Sequence, residues 1–160
     1  MHPMTLRGTL LALSVAVLCG CNHEKIPNTD VDDTEENKEI VLFMEKYRRA
    51  VETRDIPSLL SMAARDYYDD MGTPTGTDDV DYETLAAGLK RIREEVSDTR
   101  YQISYRLLTY TARDRVLVDV LYTGWFKVAT PDGPQWQRRL EPHRVVLARA
   151  GDGYKIVSGM

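Results

Sequence analysis

The chain has only two cysteines, Cys19 and Cys21, and both lie at its N-terminal end. All that follows is free of thiols, which excludes a disulfide framework and a cysteine-based metal site in the folded part. A membrane-spanning stretch is also missing. The apolar run from Gly8 to Gly20, GTLLALSVAVLCG, falls short of the roughly 20 residues such a helix needs. A cluster of basic residues is absent too. Residues 100–160 hold ten Lys/Arg against five acids, but these are mostly isolated arginines on predicted strands. Nucleic-acid binding, whose footprint is a basic stripe, is therefore not expected. No Ser/His/Asp set, phosphate loop or metal-ligand spacing is visible, and neither a cofactor nor a resident metal is expected.

What the N-terminus does contain is an export signal. Arg7 supplies the positive start, the apolar run follows, and the segment ends in Leu18-Cys19-Gly20-Cys21. That ending resembles a bacterial lipobox, with Cys21 as the acceptor of lipid and residues 1–20 as the signal peptide. Cys19 departs from the Ala, Ser or Thr more usual at its position. The expected partner is thus a lipid membrane, reached through Cys21. Asn22, where Asp would resemble an inner-membrane retention signal, favours the outer membrane of a bacterial cell envelope, facing the periplasm. Residues 22–40 carry seven acids against two lysines and almost no apolar content. Residues 21–37 accordingly read as a flexible acidic tether, followed by one domain over 38–160.

Within that domain the hydrophobic period is first helical. Ile40, Met44, Tyr47 and Val51 form one stripe. Pro57 suits the first turn of a short second helix, Ser58 to Ala64. Asp81 can cap a third, Tyr82 to Val96, with Leu85, Ala86, Leu89, Ile92 and Val96 on its buried side and Lys90–Glu94 and Arg91–Glu95 paired on the other. After Asp98 the period becomes two. Strands are expected from Tyr101, over Arg115 to Thr130, over Gln135 to Arg149 with a bend or bulge at Pro142, and at the C-terminal end, with a short one around Asp66 to Asp69. Three N-terminal helices packed in the concavity of a curved antiparallel sheet make an α+β domain.

This order, with the opening YRRAVETRDIPSLLSMAARDYYDD, resembles the nuclear-transport-factor-2-like superfamily, also called SnoaL-like, in which the curved sheet wraps the helices into a cone with a pocket. The resemblance covers roughly residues 38–160 and rests on element order more than on any one motif. It implies isomerase, dehydratase, transport or assembly roles without choosing among them. Against the superfamily's steroid isomerases, Tyr47 matches a helix-1 tyrosine and Asp70 falls within about one residue of the base. The acid expected on a late strand has no match, since Val145 and Val146 stand there. His143 lies two residues earlier. Dehydratase relatives use a histidine pair, and the domain offers His143 alone.

The candidate pocket residues are therefore Tyr47, Asp70, Asp119, Trp125 and His143. Asp119 and Trp125 share a strand face with Leu117, Leu121 and Thr123. That face could line a pocket, or meet solvent with Trp125 on a homodimer interface. The acidic stretch YYDDMGTPTGTDDVDYETL, with Asp66 just before it, has seven acids from Asp66 to Glu83. Asp79, Asp81 and Glu83 alternate as hard-cation ligands could, but the spacing of a calcium loop fails, so it reads as a Gly/Pro turn ending in a helix cap. Two functions stay open: a non-catalytic binding or assembly module for a small apolar ligand or partner protein, and a small-molecule acid/base enzyme using Tyr47 and Asp70.

Overall fold

The structure is a computed structural model, and it describes residues 24–160. The signal segment 1–20 and Cys21 lie outside the described residues. Among those described, no helix is long and apolar enough to cross a membrane.

Helix α1 spans Glu35–Thr53, longer at its start than the apolar stripe indicates, because Thr34 caps it by accepting from the Asn37 amide at 3.2 Å. Ile40, Met44, Tyr47 and Ala50 form its buried face. It ends at Arg54, in the left-handed region with φ 54°, whose N–H returns to the Ala50 and Val51 carbonyls. Helix α2, Ile56–Met62, is capped by Asp55 and carries Pro57 in its first turn, where a missing N–H costs nothing. Strands β1, Tyr68–Asp69, and β2, Val80–Asp81, pair antiparallel and clamp the base of the acidic loop. Helix α3 runs Tyr82–Glu95 with Asp81 as its cap, accepting from the Thr84 amide at 2.8 Å. Four long strands follow: β3 (Val96–Tyr110), β4 (Arg115–Val128), β5 (Gln135–Ala150) and β6 (Gly153–Ser158), hydrogen-bonded in that order. The result is the α+β arrangement expected, with helices on one face of an antiparallel sheet.

The core lies between α1, α2 and the inner sheet face. Val116, Val118 and Val120 of β4 and Val145 and Leu147 of β5 alternate inward against Ile40, Met44 and Ile156. Polar links fix α1 on β3. Arg48 bridges Glu45 and Glu52 at 2.8 and 2.9 Å and donates to the Tyr101 carbonyl, while the Tyr105 hydroxyl donates to Glu45 at 2.8 Å.

Three expectations need correction. The segment read as a tether is ordered from Glu24 and belongs to the domain. Lys25 and Asp32 form an antiparallel bridge, the Asp30 amide donates to the Tyr105 carbonyl at 3.0 Å, and Val31 is 3% exposed within the core cluster. One well-placed valine and the backbone hydrogen bonds outweigh a polar composition. Pro142 causes no bulge, since it stays in register opposite Leu121. Pairing of β5 with β6 begins only at Val146, so Pro142 stands where β5 is an edge and lacks only an amide hydrogen that no neighbour would accept. The register shifts fall instead between Val96 and Asp98, between Tyr105 and Leu107, and between Val146 and Leu147. Finally, the apolar stripe of α3 is only partly covered. Leu85 is buried, but Ile92 is 45% exposed. Of the two predicted surface pairs, Arg91–Glu95 stands at 3.9 Å and Lys90–Glu94 does not form.

The acidic loop is turn chemistry. Asp70 accepts from the Gly72 amide and Asp69 from that of Met71, both at 2.9 Å, and the Thr73 hydroxyl donates to Asp78 at 2.5 Å. Among the described residues no three His, Cys, Asp or Glu side chains converge as a metal site would require. The Asp81 carboxyl is held below its usual range by its hydrogen bonds to Thr84. Asp81→Ala should therefore lower the melting temperature at neutral pH. Because the folded-state value is depressed, this contribution is present above the unfolded carboxyl value and is lost as pH falls through the folded one. The gap between variant and wild type should thus close in acid, as thermal melts across pH 7 to 3 would show; a gap constant with pH would rule out the cap as its source.

Candidate functional site

The incomplete burial of α3 has a cause: its apolar side roofs a cavity of about 290 Å³. Tyr47, Val51 and Arg54 of α1 form one wall, with Ile56 and Leu59 of α2 beside them. Leu89 and Ile92 come from α3, and Met160 from the C-terminal end. The sheet contributes Thr99, Tyr101, Tyr122, Phe126 and His143, all on its inner face. The lining is mostly apolar and aromatic.

The rings are stacked in sequence. Tyr47 meets Tyr101 edge-on, with centroids 6.5 Å apart at 86°, Tyr101 lies 5.4 Å from Tyr122, and Tyr122 meets His143 edge-on at 5.8 Å. Burial pushes the Tyr47 and Tyr101 hydroxyls well above the ordinary phenol value. Burial also raises Tyr122, helped by its bond to Glu141 at 3.1 Å. At neutral pH these groups are protonated donors. Nε2–H of His143 donates to the Gly159 carbonyl at 2.9 Å, an arrangement that holds one tautomer and leaves Nδ1 as an acceptor.

The C-terminal strap, residues 158–160, closes one end. The Gly159 amide donates to Asp69 at 2.7 Å and the Met160 amide to the Tyr67 hydroxyl at 3.0 Å. The Tyr67 phenol is pushed up to about 12, chiefly by burial. Gly124, buried opposite Tyr101, is a space-maker in β4, since a Cβ there would lie 2.5 Å from the Phe126 ring.

Of the residues singled out from sequence, Tyr47 and His143 line the cavity and the others do not. Asp70 is exposed and occupied with its own turn. Its neighbour Asp69 is committed to the strap, so neither carboxylate reaches Tyr47's cavity as a base. Asp119 points to the outer sheet face, held by Arg144 through two bonds of 2.7 and 3.1 Å. Trp125 lies on the same face, under the Arg138 guanidinium at 5.7 Å. The physical reason is strand parity: residues 116, 118 and 120 face inward, so 119 and 125 cannot. Tyr101, Tyr122, Phe126 and Arg54 were not singled out. The alternation of β3 and β4 and the glycine inside YTGWF were the signals for three of them. A larger, more open depression of about 670 Å³ lies between α2 and β6 and is bordered by Arg65, Arg115 and Lys155, but it contains none of the predicted residues and none of the stacked rings.

No family model matches the chain, and no curated relative does. Solved structures do. A scytalone-dehydratase-like protein from Novosphingobium aromaticivorans superposes with a TM-score of 0.67 at 10% identity, covering 78% of this chain and 80% of its own. The domain has the nuclear-transport-factor-2-like fold. A ketosteroid-isomerase-like protein from Erwinia carotovora atroseptica matches this fold at 0.61 with 19% identity, over 79% of this chain and 95% of that one. A protein from Streptomyces avermitilis described as a dehydratase of the NTF2-like family matches at 0.61 with 16% identity, over 77% and 92%. In this fold the cavity lies between the helices and the inner sheet face, and no Asp or Glu is among the residues that line it.

Proposed function

We propose that the protein is an exported lipoprotein, anchored through Cys21 to the outer membrane facing the periplasm, whose domain binds a small apolar ligand without transforming it. One observation carries the binding reading: a cavity lined by aromatic and aliphatic side chains, with tyrosine hydroxyls held protonated and no Asp or Glu side chain to act as base. The neutral fluorescent probe 1-naphthylamine should bind the full chain at one saturable site. Gly124→Ala, whose new methyl drives the Phe126 ring into the cavity, should weaken that binding at least about tenfold while moving the melting temperature little, because a ring beside open space can swing away. Equal binding by wild type and variant would remove the cavity as the site.

The anchor is supported by the apolar run ending in Leu18-Cys19-Gly20-Cys21. Cys21→Ser should release the protein from membranes or leave its signal segment uncut. Membrane association with normal processing in that variant would overturn the anchor.

A second reading, an acid/base enzyme of dehydratase or isomerase type, has His143 in its favour. The ring is fixed, lies in the cavity, and keeps Nδ1 as an acceptor. Asp70 has no part in it. Under this reading His143→Gln would abolish turnover and leave probe binding intact.

A further inference from the structure

The cavity wall contains one charge that the binding reading leaves unused. Among the side chains that line it, that of Arg54 is the only one with a fixed charge. Its guanidinium donates one hydrogen bond, to the Val96 carbonyl, and forms no ion pair among the described residues. The acids next in sequence to Arg54 and to its Val96 contact are spent elsewhere. Glu52 is held by Arg48 at 2.9 Å, Asp55 caps α2 through the Ser58 amide and hydroxyl, and Glu95 faces Arg91 at 3.9 Å. Arginine has five N–H donors in a planar fork, so most remain unassigned. Its backbone cannot drift, because the residue closes α1 in the left-handed conformation with its own N–H on two carbonyls. A cation beside apolar surface is poorly placed unless an anion joins it, and the fork fits a carboxylate through two parallel bonds.

Resting on the reading of this cavity as a ligand site, we propose that its ligand is an amphipathic monoanion, a small aromatic or aliphatic carboxylic acid. Its carboxylate meets Arg54, and its apolar body lies along Tyr101, Tyr122 and Phe126. Size limits the choice. At the packing density of protein interiors, about 290 Å³ admits a body of about a dozen non-hydrogen atoms. The rest of the lining agrees in that it contributes no Asp or Glu side chain.

Trans-cinnamate and its neutral isostere cinnamamide separate charge from shape. In calorimetric titration of the full chain at neutral pH, cinnamate should bind at least about tenfold more tightly than cinnamamide, the advantage expected of a charge-assisted fork. Arg54→Gln, which keeps a donor for the Val96 carbonyl, should bind both at the cinnamamide level. Arg54→Met, of similar length and without charge, should likewise lose the preference for the acid, and decides the matter should the glutamine variant fail to fold. If cinnamamide binds wild type as well as cinnamate does, or if neither binds while 1-naphthylamine does, the anionic class is overturned and the cavity reading stands. If the naphthylamine probe also fails, both fall.

Discussion

Gly159→Ala should cost the domain about 2–4 kcal/mol, a penalty with two independent sources. Gly159 has φ 80°, in the region where a side chain is strained, at about 1–2 kcal/mol for an L-residue. A Cβ there would also sit 2.1 Å from the Arg144 carbonyl oxygen and 3.0 Å from the Val145 Cα. Those atoms are backbone of β5 and cannot swing aside as the Phe126 ring can beside Gly124. Relief must come from moving the strap. Displacing it breaks the Gly159 bond to Asp69, the Met160 bond to Tyr67 and the His143 bond to the Gly159 carbonyl. Since His143 and Met160 both line the cavity, probe affinity should fall together with stability. For a domain of this size a loss of that order lowers the melting temperature by roughly 8–16 °C. A melt within about 2 °C of wild type would show that the strap is not held by these contacts.

Excising residues 24–34 should destabilise by a similar amount, about 2–4 kcal/mol net of the entropy released by a freed segment. The deletion removes Val31 from the core and the Asp30 amide from the Tyr105 carbonyl. It removes the Thr34 cap of α1. It also takes the Asp32 carbonyl from buried Asn37, which now bonds it at 2.8 Å while accepting from the Tyr110 hydroxyl at 2.5 Å. A half-satisfied buried amide is costly. The Asp30–Arg106 pair at 2.8 Å is exposed and adds little. Val31→Asp, a single change in the full chain, should act in the same direction by placing a charge among apolar side chains. Circular dichroism melts of both variants would check this, and unchanged transitions would return the segment to the status of a tether.

These two results bear on how far the sequence could be read. Periodicity settles the order of elements: a 3.6-residue stripe through Ile40, Met44 and Tyr47, a cap at Asp81, and alternation from Tyr101 onward. Each signal is local, because helix and strand periods are backbone properties expressed within a few residues. The α+β class follows from that order. Strand parity was equally local and would have placed Tyr122 and Phe126 inward and Asp119 and Trp125 outward once one buried residue of β4 was known.

What composition concealed were the effects that join distant parts of the chain. The acidic run 24–34 looks unstructured because its charges are many and its apolar residues few, and only the groove that receives Val31 and the free carbonyl of Tyr105 make it part of the domain. The stripe on α3 looks like core, and only the shape of the sheet beneath it leaves Leu89 and Ile92 facing a void. Asp70 and Tyr47 lie 23 positions apart in sequence, and whether they meet depends on a loop geometry that spends both Asp69 and Asp70 on local amides. Arg54 is one arginine among many in the sequence. It becomes the charge of the cavity because Glu52, Asp55 and Glu95 each find another partner, and that allocation is settled by packing across elements, which no local window contains.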